Sequence, residues 1–235
     1  GGGTDLGIEV SKERKQLEQI IWTAKVRELN HIKRDASSVN LGAAVTYTRA
    51  LPLLEELYPS FATLVRRIGS RQIRNLGTIG GNVCNASPIG DMSPCLLVLN
   101  AVLIARSQHG VRKIPANEFF VDYRKTALAD DEILQAIQFP IPDDHTIYRA
   151  HKISKRYDQD ISSVIGAFAL KIRDGKVEKA FVAYGGMAAT PKRAKACEAA
   201  LEGKAWNLAT VASAAKSLIR DFTPITDFRA SATYR

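Results

Sequence analysis

The sequence predicts an α+β fold arranged as two lobes, and three observations carry that expectation. Two pairs of apolar strands are joined by short turns, Val102–Arg106 with Val111–Ile114 across QHG, and Ser163–Arg173 with Val177–Tyr184 across DGK. Pro140 and Pro142 stop the apolar strand Glu132–Phe139 and mark a lobe boundary, dividing the chain into residues 1–142 and 146–235. Beyond that boundary strands come first and helices after, the order of a small α+β lobe.

The glycine cluster GGGTDLG, Gly1 to Gly7, opens the chain with no strand before it, which predicts a fragment that begins inside a turn. Val39–Val45 reads as a strand, and Thr46 begins a helix over Arg49–Leu57 that Pro59 ends. A second helix is expected over Phe61–Ile68. Ser70–Pro94, SRQIRNLGTIGGNVCNASPIGDMSP, reads as one long loop, followed by an apolar helix over Cys95–Asn100. After the first hairpin, Phe119–Thr126 is an aromatic and basic loop. In the second lobe the Asp174–Gly175 pair suits a tight turn. Lys192–Leu201 and Leu208–Ile219 show apolar residues at helical spacing, with Asn207 as candidate N-cap of the latter.

At 235 residues and 46% apolar content, the chain can bury one sizeable core or two lobes sharing an interface. No apolar run approaches the roughly 20 residues that span a bilayer, and the N-terminus lacks a signal-peptide layout. No membrane role and a cytoplasmic location are expected. Cys84, Cys95 and Cys197 form no CxxC pair and are too few for an iron–sulfur or zinc site, so reduced thiols are expected. The net charge of +9 is spread in short groups such as Arg66–Arg67 and Arg71–Arg74, with no basic tail or aromatic RNA-binding signature. Nucleic acid is not an expected partner.

Two glycine clusters stand far apart, Gly1–Gly7 and Gly77–Gly81, each with a threonine, Thr4 and Thr78. Glycines let successive N–H groups turn toward one concavity and leave no Cβ in a phosphate's way, and a hydroxyl adds a donor. Two clusters suit the two charged groups of a pyrophosphate. Neither has the spacing G-x-G-x-x-G or GxxxxGK[ST], which weighs against the Rossmann and P-loop readings. Taken singly, each also reads as ordinary structure, Gly1–Gly3 as a flexible terminus and Gly80–Gly81 as a tight corner.

The string TIGGNVCNASPIGD, Thr78 to Asp91, resembles the signature of the FAD domain of xanthine dehydrogenases and of the related medium subunits of aerobic carbon monoxide dehydrogenases. The likeness recurs in order at GGTDLG (Gly2 to Gly7), FFVDYRKTALADDEIL (Phe119 to Leu134), HKISKRYDQDIS (His151 to Ser162), YGGMAATPKRA (Tyr184 to Ala194) and RASATYR (Arg229 to Arg235). The YRKT and KISKR segments are closer to xanthine dehydrogenase. The resemblance implies a vanillyl-alcohol-oxidase-type (PCMH-type) FAD-binding lobe, incomplete at its N-terminus, followed by a small lobe of antiparallel sheet plus helices.

It also implies site residues. Gly2, Gly3, Thr4, Asp5, Leu6 and Gly7, with Thr78, Gly81 and Asn82, would hold the FAD pyrophosphate, mainly through backbone amides. Asn85 stands where the family commonly has threonine near the flavin. Asp91 would accept a hydrogen bond from the ribityl chain or ring; as a residue before a helix it also reads as an N-cap. Leu134 would meet the isoalloxazine or adenine surroundings, although a strand leucine also suits plain core. Lys152 would place a positive charge beside the cofactor, against the alternative of a solvated surface lysine. Tyr123 and Arg124 would lie on the NAD+ approach, where Tyr123 could equally anchor its loop.

The implied activity is electron transfer: electrons from a molybdenum centre pass through two [2Fe–2S] clusters in a partner domain or subunit to this FAD, and NAD+ accepts hydride. No protein nucleophile or base is required. Partners are then an iron–sulfur domain or subunit and a molybdopterin-binding subunit, in purine catabolism. The alternatives are the flavoprotein part of another molybdenum hydroxylase, acting on carbon monoxide, aldehydes or N-heterocycles, and a non-catalytic basic binding module that retains the fold. Lys155 and Arg156, followed by Asp158 and Asp160, resemble the family segment whose charge affects whether NAD+ or O2 is the oxidant.

Overall fold

The structure, a computed structural model, describes residues 2–235; Gly1, part of the first glycine cluster, lies outside the described residues. The expected opening turn is instead a helix start. Gly3 adopts φ 73°, a left-handed conformation that glycine takes without steric cost, and launches α1 (Thr4–Ser11), whose first turn carries the acidic Asp5. A 3-10 turn at Arg27–Leu29 leads into β1 (Ile32–Arg34) and β2 (Ser38–Gly42), an antiparallel pair. Thr46 then caps α2 (Tyr47–Leu57), its hydroxyl accepting the Arg49 N–H at 3.3 Å. Pro59 starts α3 (Pro59–Arg66) at the first helical position, where its missing N–H is no loss.

The largest departure from expectation is residues 70–94. They are not a loop but a run of short helices, α4 (Arg71–Leu76), α5 (Ile79–Cys84) and the start of α6 (Met92–Val98). Ser70 and Thr78 cap the first two, accepting N–H groups three residues on at 3.3 and 2.9 Å. Two glycines in a six-residue helix read as breakers, yet tertiary packing overrides propensity here. A Cβ at Gly80 would come within 2.5 Å of the Ala43 Cβ, so glycine permits a close helix-to-chain approach.

Next come β3 (Val102–Ser107), β4 (Gly110–Pro115), the single turn α7 (Ala116–Phe119), and a miniature hairpin, β5 (Phe120–Asp122) with β6 (Lys125–Thr126), in place of an expected loop. With β7 (Ile133–Pro140), β1 to β4 form a five-stranded antiparallel sheet in the order β1-β2-β7-β3-β4. The second sheet runs β11-β10-β9-β8: β8 (Thr146–Ile153), not among the expected strands, β9 (Val164–Arg173), β10 (Lys176–Gly185) and β11 (Lys192–Arg193). Asp174 and Gly175 make the expected turn at φ 50° and 69°. Because Lys192–Arg193 extend the sheet, α8 spans only Lys195–Leu201. Asn207 caps α9 (Leu208–Lys216) through the Thr210 N–H at 2.9 Å, and α10 (Leu218–Asp221) follows as a separate turn.

All seven residues of α6 are buried, and the helix packs against β9 and β10. One apolar core runs from Val39 and Leu41 on β2 through Leu96 on α6 to Ile165 and Ala183 on the second sheet, so the two sheets share an interior. A second cluster, with Val177, Val182, Cys197, Leu201 and Phe222, sits between that sheet and α8. Along β8 burial alternates: Tyr148, Ala150 and Lys152 face inward, while Arg149, His151 and Ile153 are exposed. Among the described residues no helix is long and apolar enough to cross a membrane.

Candidate functional site

Two helix starts face one small cavity. The beginning of α1, Gly2 to Leu6, and the beginning of α5, Thr78 with Gly81 and Asn82, line a space of about 290 Å³ together with Tyr47, Cys84 and Asn85. In α1 the first intrahelical bond is Gly7 N–H to Gly3 O at 2.7 Å, and no side chain caps the end. The N–H groups of Gly3, Thr4, Asp5 and Leu6 therefore have no protein acceptor among the described residues, which leaves an electropositive, donor-rich helix end. The second cluster differs. Ile79 N–H bonds Val45 O at 3.2 Å, Gly80 N–H bonds Ala43 O at 3.2 Å, Gly81 N–H bonds the Thr78 hydroxyl, and Asn82 N–H bonds Thr78 O at 3.1 Å. The available amides thus sit on the first cluster, while those of residues 79–82 are spent on holding α5 in place.

Close packing fixes this geometry. A Cβ at Gly2 would run into the Leu76 carbonyl at the end of α4, so only glycine lets α1 start there. The buried Tyr47 ring packs against Gly77, where a Cβ would stand 2.9 Å from Tyr47 Cε2. Burial, then the nearby Asp91 and Asp5 charges, push the Tyr47 hydroxyl well above its usual range. Tyr47 is not among the expected site residues; its place directly after the capping Thr46, in a helix whose N-terminal end faces TIGGN, is apparent only in three dimensions. Asn85 Nδ2 donates to Asp5 Oδ2 at 3.2 Å and ties α5 to α1.

Asp5, Asn82 and Asn85 are shared with a second cavity of about 910 Å³, which continues past Asp91 and Lys152 to the Gln159–Ile161 loop and the C-terminal segment. The Asn82 Oδ1 accepts the Met92 N–H at 3.2 Å and so does the capping work at α6 that the sequence offered as one role for Asp91. Asp91 occupies the N-cap position but its side chain makes no cap bond. Its carboxylate instead receives both contacts from Lys152 Nζ, at 3.1 and 3.0 Å, and the Ser162 hydroxyl at 2.6 Å. Lys152 is not a solvated surface residue: it is 6% exposed, because the register of β8 points it inward. Ser162 was not singled out from sequence.

Tyr123 and Arg124 form the exposed tip of the miniature hairpin and line the larger cavity, with Arg124 at φ 54°. Across the cavity, Arg229 and Arg235 both bond Asp227, at 3.0 and 2.8 Å, and Arg235 also donates to Ser163 O at 3.2 Å. Two expected site residues are not brought in. Gly7 lies within α1 and Leu134 lies in the core at 6% exposure, opposite Ala105 of β3; neither lines either cavity. Leu134 is drawn inward because the alternation of β7 sends it to the apolar side.

The two cavities fall in the roughly 300–1,000 Å³ range of small-molecule sites. An open helix N-terminus at one end favours an anion, and paired charges along the wall suit holding and orienting a ligand. Residues 1–142 match the family described as the FAD binding domain in molybdopterin dehydrogenase, and residues 149–235 match the CO dehydrogenase flavoprotein C-terminal domain. The chain is 31% identical over 238 residues to a putative xanthine dehydrogenase FAD-binding subunit of Escherichia coli K12, covering 100% of this chain and 82% of the relative. It is 37% identical over 203 residues to a nicotinate hydroxylase of Emericella nidulans, covering 81% of this chain but 15% of that longer protein. Among solved structures, a carbon monoxide dehydrogenase chain from Hydrogenophaga pseudoflava, in a form lacking the Mo-pyranopterin moiety, superposes with a TM-score of 0.94 at 28% identity, covering 100% of this chain and 82% of the other.

Proposed function

The chain belongs to the family of FAD-binding domains of molybdopterin dehydrogenases, and from that premise we propose that it is the FAD-holding electron-transfer module of a molybdenum hydroxylase, of the xanthine dehydrogenase type. The observation that carries the reading is the meeting of the open end of α1 with the start of α5 at one end of a cavity that continues to Asp91 and Lys152.

The residues fit the group. The amides of Gly3, Thr4, Asp5 and Leu6 would take the diphosphate, with Gly2 permitting the approach and Thr78 and Gly81 shaping the facing wall. Asn82, Asn85, Asp91 and Lys152 would border the rest of the cofactor. FAD, when bound, supplies the redox chemistry; the protein orients it, sets its electrostatic surroundings and controls access to it. Tyr123 and Arg124 offer an aromatic face and a cation at the rim, a fitting approach for NAD+ as oxidant.

In this reading an iron–sulfur domain or subunit and a molybdopterin-binding subunit supply the electrons, hydroxylation of xanthine takes place in that partner, and the assembly works in the cytoplasm. The lobe boundary falls between residues 142 and 146. The likeness to a nicotinate hydroxylase and to a carbon monoxide dehydrogenase favours, as second reading, the same module serving a different hydroxylated substrate.

The test is reconstitution with FAD, removal of free cofactor, and a visible absorption spectrum. Protein-bound flavin bands are expected, and their absence overturns the reading. Reoxidation of the reduced protein by NAD+ then tests the acceptor; reoxidation by O2 alone, with no effect of NAD+, overturns that part.

A further inference from the structure

The Lys152 ammonium is held against three oxygens, Asp91 Oδ1 at 3.1 Å, Asp91 Oδ2 at 3.0 Å and Ser162 Oγ at 2.7 Å. Ser162 closes the ring by donating its own proton to Asp91 Oδ1 at 2.6 Å. An ammonium has three N–H donors, and these three oxygens engage them all. The Lys152 side chain is 2% exposed and Ser162 is 1% exposed, so water competes little for either. All three residues line the larger cavity. Lys152 comes from β8, and the chain returns ten residues later to set the Ser162 hydroxyl beside it.

We infer that Ser162 is a positioning residue whose hydroxyl takes the third N–H of the Lys152 ammonium, so that the cavity wall presents a fully engaged ion pair to a bound flavin rather than a cation with a donor to spare. The inference rests on the FAD reading of this cavity. A free cation beside a redox ring favours the reduced, more negative form, whereas a close ion pair presents little net charge. Removing the hydroxyl returns one ammonium N–H to the cavity side while both Asp91 contacts remain. Ser162→Ala therefore shifts the flavin toward the reduced form. Lys152→Met leaves the Asp91 carboxylate uncompensated and shifts it the other way. A hydroxyl that served only to fill space would change affinity for oxidised and reduced FAD alike and leave their ratio untouched.

The experiment is dye-equilibrated reduction of the FAD-loaded chain, followed by visible absorption, for the wild type, Ser162→Ala, Ser162→Thr and Lys152→Met. Ser162→Ala is expected to favour reduced over oxidised FAD by about threefold or more, the scale of one hydrogen bond. Ser162→Thr, which keeps the hydroxyl, should hold the wild-type ratio, and Lys152→Met should move it in the opposite direction. An unchanged ratio in Ser162→Ala, or a shift in the same direction as Lys152→Met, overturns the inference. Should Ser162→Ala fail to fold, Ser162→Cys, whose thiol fills the same place but is only a weak acceptor, carries the test with the same expected sign. A wild-type chain that takes up no FAD overturns the reading of the site itself, whereas FAD uptake with an unmoved ratio overturns only the role of Ser162.

Discussion

The guanidinium of Arg67, at the end of α3, lies 4.7 Å over the ring of Tyr157 and fastens a loop of the second sheet to a helix of the first half. Its three nitrogens donate to Tyr157 O at 3.0 Å, Lys152 O at 2.5 Å and the Ser154 hydroxyl at 3.2 Å. The loop so held carries Gln159, Asp160 and Ile161 on the cavity wall. Arg67→Ala removes one cation–π contact and three charge-assisted bonds, so a loss of about 1–3 kcal/mol is expected. Hydrogen exchange should quicken over residues 154–161 and remain slow in the core strand β9. Unchanged exchange in the loop would show that the clamp does not hold it.

Gly2 and Gly7 are the same residue in opposite situations. A Cβ at Gly2 meets the Leu76 carbonyl, while one at Gly7 meets nothing within 4 Å. Gly2→Ala is expected to displace the start of α1 and weaken FAD binding about tenfold or more, equivalent to some 1.4 kcal/mol. Gly7→Ala should stabilise α1 by about 0.5–1 kcal/mol through helix propensity and leave binding alone. Fluorescence titration with FAD and thermal melts decide both; equal binding by the two variants would remove the α1 end from the site.

Much of this was legible in the sequence because it depends on local chemistry. The DG turn, the Asn207 cap and the two hairpins follow from residues within a few positions of each other. The run from Ser70 to Pro94 resembles a loop in sequence because its capping signals, Ser70 and Thr78, each govern only six residues, and glycine needed for contact with Ala43 looks the same as glycine needed for a turn. Which glycine cluster keeps free amides was not legible at all. It depends on Val45 and Ala43, more than thirty residues away, supplying carbonyls to α5. The pairing of Asp91 with Lys152 and Ser162 likewise spans two sheets' worth of chain, though the alternation Tyr148, Ala150, Lys152 was a usable sign that the lysine points inward.

Cys84 stands on the wall of the smaller cavity, and burial pushes its thiol up to about 11. Only the thiolate is nucleophilic, so at pH 8 about a thousandth of the population is reactive. Alkylation by iodoacetamide, read by peptide mass at Cys84, is expected to rise about tenfold per pH unit between 7 and 10. FAD should slow it by occupying the same cavity. Rapid labelling at pH 7, or labelling indifferent to FAD, would contradict the burial or the shared cavity respectively.

Leu134 separates packing from contact. It lies in the apolar core of β7 and lines neither cavity, although the family resemblance implied a place near the cofactor. Leu134→Ala removes buried methyl groups and leaves a void among core neighbours, so a loss of about 2–5 kcal/mol in unfolding free energy is expected. Because the cavity walls do not include it, the fraction that remains folded should bind FAD within about threefold of wild type, below the scale of one lost hydrogen bond or buried contact. Urea unfolding and FAD titration below the transition measure the two quantities separately. A variant of wild-type stability that has lost FAD affinity would place Leu134 against the cofactor after all, and would mean that β7 shifts toward the cavity when FAD is bound.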